Sequence, residues 1–205
     1  MPRPDDLRKK ALATLQQFEV LMLDGHFDYG NGYHGRVYLN PHRIFRQPSH
    51  IWQLAQDLIG VLPESVVGAT EVVAGPVMGG ALLAHTMAGL LDGRRSLSHP
   101  STSFAPLSLK GPDQGLRPFY RTVVAGKRVL LADDVRNTGK SFERAKAMIE
   151  EAGGTVIATA QIYDRLEAMV DLGVPNIALA EYRAPENYPA DDCPLCRDRV
   201  QVTRF

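Results

Sequence analysis

The sequence is poor in several things that usually announce a function. It has no surplus charge: 23 Lys and Arg balance 23 Asp and Glu. A general electrostatic footprint for nucleic acid or an anionic membrane is therefore excluded, and any basic site must be local. No apolar run approaches the roughly 18 residues a membrane span needs. The early charges of MPRPDDLRKKALATLQQFEVLML predict an amphipathic helix rather than the apolar core of a signal peptide. There are two cysteines, both in Cys193-Pro194-Leu195-Cys196, which is no disulfide framework. Their spacing is that of a zinc knuckle. A structural zinc site takes four ligands, and there is no second cysteine pair, so zinc would require distant histidines or a partner chain. Reduced thiols in a folded tail are the expectation. Internal repeats and low-complexity segments are also lacking. These absences leave a soluble, cytoplasmic protein that binds neither nucleic acid nor membrane.

What is present is an ordinary globular composition, 44% hydrophobic and 22% charged over 205 residues, enough for one domain with a full core. Apolar spacing predicts a helix over 5–23, ended by Gly25. HFDYGNGYHGRVYLN reads as a hairpin around Gly30-Asn31-Gly32. Ser49 is placed to cap a helix that runs to Leu62 and stops at Pro63. Strands are then predicted over 71–74, 101–107, 128–132, 155–163 and 176–182, with helices over 79–91 and 141–151 and a short one before the last strand. Residues 108–118 form a polar Gly/Pro loop, and the last twenty residues are irregular. Alternating strands and helices imply an α/β fold, a mostly parallel sheet covered on both faces.

Two predicted strand ends are chemically loaded, and ligands of open α/β sheets bind there. In VVAGPVMGGALLAH a strand ends in Gly75-Pro76, and Gly79-Gly80 opens a helix. Glycines admit a ligand close to the backbone, and helix N-terminal N–H groups favour an anion. In VLLADDVRNTGKS a buried-type strand runs into Asp133-Asp134, and the loop Val135 to Ser141 leads into the next helix. Successive N–H groups of that loop, with the Thr138 and Ser141 hydroxyls, form a nest for a phosphate. Two carboxylates beside a phosphate nest would repel the phosphate, so they must bind something else: a ribose diol, or Mg²⁺. The pattern asks for a ligand with a 5′-phosphate, free ribose hydroxyls and a second anion. It is not a Walker loop, because Gly-x₄-Gly-Lys-Ser/Thr is absent.

VLLADDVRNTGKS strongly resembles the phosphoribosyl-diphosphate (PRPP) motif of type I phosphoribosyltransferases, and the chain is most like the orotate phosphoribosyltransferases among them. GHFDYGNGYHGRVYLN resembles their N-terminal hood, VVAGPVMGGALLA their pyrophosphate loop, Tyr163-Asp164-Arg165 a strand-end Asp-Arg near the base, and YPADDCPLC a tail found in some members. The resemblance implies one phosphoribosyltransferase domain over 1–205: helix and hood in 1–45, core sheet in 64–183, tail in 184–205. It implies that Asp133 and Asp134 hold the ribose hydroxyls and, indirectly with the ligand, Mg²⁺. The backbone of Val135, Arg136, Asn137, Thr138, Gly139 and Lys140, with Ser141, would cradle the 5′-phosphate. Val77, Met78, Gly79 and Gly80 would hold the pyrophosphate. His34 and Tyr38 would line the base pocket, and Arg165 would meet a carboxylate on the base, as in orotate. The implied partners are PRPP, a nucleobase and a second copy of the chain.

One part departs from the family pattern. Relatives carry a mobile cationic loop over the pyrophosphate. Here the stretch is FAPLSLKGPDQGLRPFYRTVV, with Pro106 and Leu107 where relatives place Arg or Arg-Lys. Gly79 and Gly30 also stand where some relatives have Lys. Lys110 is the candidate catalytic cation, with Arg117 and Arg121 also present. The expected activity is transfer of 5-phosphoribosyl from PRPP to a nucleobase, with two alternatives: a PRPP-binding sensor without turnover, or transfer to a base other than orotate. His85, on a small-residue helix, reads as packing.

Overall fold

In the computed structural model of the chain, the described residues are 3–29, 32–95, 100–111, 114–167, 170–183 and 187–204. Helix α1 (Pro4–Gln17) buries Leu7, Ala11 and Leu15, four apart on one face. It stops short of the expected residue 23. Glu19 takes a left-handed conformation at φ 54°, and the Val20 N–H donates back to the Leu15 carbonyl at 2.8 Å. This is a Schellman closure made without glycine. The apolar residues that follow form strand β1 (Leu21–Met22) instead. After it come the expected hairpin of β2 (Phe27–Asp28) and β3 (Tyr33–Gly35), and then β4 (Tyr38–Leu39), which pairs antiparallel with β1. Gly30 and Asn31 lie outside the described residues.

A 3₁₀ turn (Pro41–Arg46) leads to α2 (Pro48–Val61), which begins on Pro48 in its first turn rather than on a Ser49 cap. Then follow α3 (Glu64–Ala69), β5 (Val72–Pro76), α4 (Gly79–Arg94), β6 (Ser103–Leu107), α5 (Pro118–Val124), β7 (Arg128–Arg136), α6 (Lys140–Glu151), β8 (Thr155–Asp164) and β9 (Asn176–Glu181). Helices α3 and α5 are additions to the elements expected from the sequence. The short helix expected before β9 does not form among the described residues, where Asp171 accepts from the Gly173 N–H in a turn. The tail is not irregular: it holds β10 (Tyr188–Pro189), a 3₁₀ turn and the one-turn helix α7 (Pro194–Arg197).

The central sheet has the order β6-β5-β7-β8-β9 and is parallel throughout. Residue parity sorts the two faces along β5 and β7, and an irregularity opposite Val129–Leu130 switches the parity of β8 between Val156 and Ala158. Val73, Leu130, Ala132, Ala158 and Ala160 pack with α1, α2 and α4, whereas Val72, Ala74, Val129, Leu131 and Val156 pack with Val124, Phe142, Ala145 and Ile149 of α5 and α6. Both faces are dry, which is what a parallel sheet requires. From β5 the chain goes first to β6 on one side and then returns to β7 on the other. That reversal is the switch point where open α/β sheets bind ligands.

The reversal opens a cleft. β5 is in register with β7 only through Ala74↔Leu131, but with β6 as far as Pro76↔Leu107. β7 continues alone on that side through Asp133 and Asp134, supported by β8 on the other. The loop after β5 folds back tightly: a Cβ on Gly75 would collide with the Gly80 backbone and lie 2.8 Å from the Ala132 carbonyl oxygen. Exposed Gly89, by contrast, has open space around its Cβ position. Gly75→Ala should therefore destabilise the fold by about 2 kcal/mol, and Gly89→Ala should stabilise it by about 0.5–1 kcal/mol. Urea unfolding of the two variants should shift in opposite directions.

Candidate active site

Asp133 and Asp134 sit where β7 outruns β5. Their carboxylates are held by their own backbone: the Asp134 N–H donates to Asp133 Oδ1 at 2.9 Å, and the Val135 N–H to Asp134 Oδ1 at 2.8 Å. Both face the loop after β5. A Cβ on Gly80 would lie 2.7 Å from Asp133 Oδ1, and one on Gly79 would collide with the Asp134 carboxylate. The glycines of one loop are thus the space in which the acids of the other sit. Asp133 is 8% exposed. Burial first, and then the neighbouring Asp134 charge, push its carboxyl well above the usual carboxylate range. Burial also raises Asp134. Two adjacent oxygen donors that resist ionising on their own are suited to a diol or a hydrated hard cation such as Mg²⁺.

The next turn has the geometry expected of an anion nest. Gly139 has φ 86°, a left-handed conformation that glycine adopts without strain. It stands before α6 without a side-chain cap, so the first N–H groups of a twelve-residue helix point outward unspent. The Thr138 carbonyl accepts from the Val170 N–H at 3.0 Å, which fixes the loop from behind. Arg136 was named for its backbone, but its side chain matters too. It is 5% exposed and lies under Gly139, 3.2 Å from where a Cβ would stand. One Nη donates to the Val170 carbonyl at 3.0 Å, while Nε has no hydrogen-bond partner among the described residues. A buried guanidinium beneath the turn adds positive charge to the nest. Asn137, Lys140 and Ser141 are exposed on its outer side.

A cavity of about 350 Å³ joins these parts, lined by Asp133, Asp134, Asn137 and Ser141 at one end and by Tyr38 and Arg165 at the other. A second cavity of about 430 Å³ extends from Tyr38 and Arg165 to Tyr33 and Asn187. Arg165 follows Asp164, which accepts from Gln161 at 2.9 Å, from Asn176 at 3.0 Å and from the Leu166 N–H at 2.9 Å. That buried network sets the direction of the strand end. Arg165 itself pairs with Glu167 at 3.0 Å and reaches Asn137 at 3.4 Å.

Not every expected residue comes to the cleft. His34 is buried behind the hood and does not line either cavity. Its Nδ1 lies 3.0 Å from His26 Nε2 and 3.4 Å from Cys196 Sγ. The reason is register: His34 pairs across β2–β3 with Asp28 and across β10 with Tyr188, so its side chain turns towards the tail. Tyr29, which had not been singled out, takes the place on the cavity wall, its hydroxyl donating to the Val37 carbonyl. Its aromatic neighbours in the same hairpin were the available signal. Lys110 is exposed on a small hairpin closed by Ser108 and Gly115 (N–H···O 3.1 and 2.8 Å). Arg121 is committed to Glu151 at 2.7 Å. Arg117 borders a third cavity, of about 290 Å³, together with Val77 of the glycine loop. Leu107 is buried in β6. His85 packs edge-on against Phe104, as expected.

A family model described as phosphoribosyl transferase domain matches residues 43–172. The orotate phosphoribosyltransferase of Erythrobacter litoralis is 32% identical over 198 residues, 96% of this chain and 95% of its own length. Among solved structures, the orotate phosphoribosyltransferase of Aeropyrum pernix superposes with a TM-score of 0.61 at 20% identity, covering 83% of this chain and 93% of that one. The adenine phosphoribosyltransferase of Rhodothermus marinus gives 0.60 at 21%, covering 84% and 99%. The structural likenesses establish the fold and do not choose between bases.

Raised carboxyl pKa values carry a sign. A folded state that holds protons more tightly than the unfolded chain is favoured at low pH, and this contribution is lost as pH rises through the folded pKa. Asp133→Asn removes that loss. The ligand-free variant should therefore unfold at a higher temperature than the parent at pH 7–8, and the gap should narrow towards about pH 4, near the unfolded carboxyl value. Thermal unfolding across pH tests this, and a variant less stable than its parent at pH 8 contradicts it.

Proposed function

The chain belongs to the type I phosphoribosyltransferase family, and on that footing we propose that it transfers 5-phosphoribosyl from PRPP to orotate with release of pyrophosphate. One observation carries the reading. The acid pair, the uncapped helix and an arginine-bearing aromatic wall share one cavity at the switch point of the sheet.

The 5′-phosphate sits on the α6 N-terminus over buried Arg136, with the Thr138 and Ser141 hydroxyls and the backbone from Val135 to Lys140 as donors. Asp133 and Asp134 accept from the ribose 2′- and 3′-hydroxyls. The diphosphate lies along Val77, Met78, Gly79 and Gly80. The base lies between Tyr38 and Arg165, whose guanidinium meets the orotate carboxylate. A base nitrogen then attacks C1 as the C1–oxygen bond to pyrophosphate breaks, with inversion and oxocarbenium character. Two carboxylates beneath the ribose offset the positive charge that develops there. Mg²⁺, held with the diphosphate and indirectly by the two acids, supplies neutralisation of the leaving group. The remaining cations follow β6: exposed Lys110, and Arg117 at the start of α5 beside the cavity that Val77 lines.

A second reading, PRPP binding without turnover, is favoured by one feature: Pro106 and Leu107 are fixed in β6 at the positions where the family resemblance places cations. We further propose a homodimer. It is supported by the exposed apolar side chains of Met78 (66%) and Phe119 (70%) beside the diphosphate end of the cleft. We place the reaction in the cytoplasm, in keeping with two unbridged thiols.

Calorimetric titration of Mg²⁺-PRPP, followed by orotate and a pyrophosphate assay, tests both readings. Binding with release is expected; binding without release selects the sensor; no binding removes the central role of Asp133 and Asp134. Arg165→Ala should raise the KM for orotate by about 10–100-fold with little change for PRPP, and Lys110→Ala or Arg117→Ala should lower kcat by about 10–1,000-fold. Sedimentation of the parent should give a dimer, and Met78→Glu should shift it towards monomer.

A further inference from the structure

Behind the hood, four potential metal ligands converge: His26, His34, Cys193 and Cys196, with their donor atoms all within 4.8 Å of one another. We propose that this cluster is a structural zinc site that staples the N-terminal hood to the C-terminal tail. It is independent of the phosphoribosyl cleft and of the reaction assigned to it.

The spacing is that of a tetrahedron. Zinc–nitrogen bonds of about 2.0 Å and zinc–sulfur bonds of about 2.3 Å imply ligand-to-ligand edges of roughly 3.3–3.8 Å. Four of the six edges are 3.0 Å between His26 Nε2 and His34 Nδ1, 3.6 and 3.7 Å from His26 Nε2 to the sulfurs of Cys193 and Cys196, and 3.4 Å from His34 Nδ1 to Cys196, and the other two lie within 4.8 Å. Two thiolates and two imidazoles in this arrangement select zinc among the common divalent metals. Four protein ligands leave no open position, so the site is structural rather than catalytic.

Proton counting points the same way. His26 Nδ1 lies 2.9 Å from the Val200 carbonyl. A carbonyl can only accept, so Nδ1 carries a proton, and in the neutral ring, the form that ligates metal, Nε2 then carries the lone pair. Three groups crowd that single lone pair: one imidazole nitrogen and two sulfurs. It can accept from one of them, whereas a cation at the centre satisfies all four groups at once. The outer contact of His26 is that of a ligating histidine, and a carboxylate stands near the outer nitrogen of His34. Val200 fixes His26. On the far side of His34, Nε2 faces Asp28 Oδ1 at 4.0 Å, and Asp28 is itself held by Arg204 Nε at 3.0 Å.

The chain brings the ligands together by register. Asp28 pairs with His34 in the β2–β3 hairpin, which puts His26 and His34 diagonally across one face, within reach of each other. β10 pairs with β3 at Tyr188↔His34, and the chain after it delivers Cys193 and Cys196 at the two ends of one helical turn. Thr203 closes the arrangement, donating to His26 O at 2.7 Å. Metal here would lock together segments more than 150 residues apart in the sequence.

Elemental analysis of the full-length, untagged protein, purified without chelator, should find about one zinc per chain, falling below about one-tenth in Cys193→Ser and in His26→Gln. Cobalt exchange should give the visible bands of tetrahedral cobalt with thiolate charge transfer. Stripping the metal from the parent should lower the melting temperature by several degrees, and zinc should restore it. Cys196→Ser, at the more exposed ligand, separates loss of metal from loss of fold, because it should keep the parent's circular dichroism while losing most of the metal. A parent protein that holds no zinc after reconstitution under reducing conditions overturns the proposal, as does a Cys193–Cys196 disulfide in the freshly purified chain.

Discussion

Everything at the cleft depends on the parting of β5 from β7. While the two strands are paired, up to Ala74 and Leu131, their backbone groups satisfy one another and their side chains fill two dry layers. Beyond that point β7 presents a bare edge, and a bare edge in a buried place needs something to cover it. The glycine loop does so from one side by lying too close for any side chain, and the carboxylates of Asp133 and Asp134 fill the remaining space. The cost is electrostatic. Two acids that would ionise freely in water are held where neither does so easily. The same placement makes the cleft receptive to hydroxyl donors and a cation, so strain in the ligand-free protein and affinity for a ligand have one origin.

Much of this was legible in the sequence, for identifiable reasons. Strands of the core announce themselves by β-branched and aliphatic runs, and all five were placed to within a few residues, although β7 continues through the acids. The glycine loop and the Asp-Asp turn were readable because their residue types break local rules of burial. Helix α1 was overextended because the signal for its end was the backbone of Glu19, a residue with no special propensity for a left-handed turn. Helices α3 and α5 have six and seven residues, under two turns, too few for an apolar periodicity to show.

The hood misled for a different reason. On strands of two or three residues alternation is too short to give a face, and one residue of register turns a side chain from the cavity to its back. His34 was named for the base pocket and sits among His26, Cys193 and Cys196; Tyr29 was not named and lines the wall. What the sequence could not display is pairing between segments far apart in the chain. Cys193 and Cys196 lacked partners only while the tail was read as irregular.

The position of β3 has a consequence for how the protein is made. It is the middle strand of the β10-β3-β2 sheet, so one of its two edges waits for residues near 188. A ribosome adding about 5–20 residues per second takes roughly 8–30 seconds to travel from residue 34 to residue 188. Strands β5 to β8 and helix α6 are synthesised within that interval, and β9 ends at Glu181, so the core sheet is laid down while the hood still has an open edge. The hairpin beside Tyr29 therefore gains its third strand only after Asp133, Asp134 and the Gly139 turn have been made, so the two ends of the cavity are finished in the order of the chain.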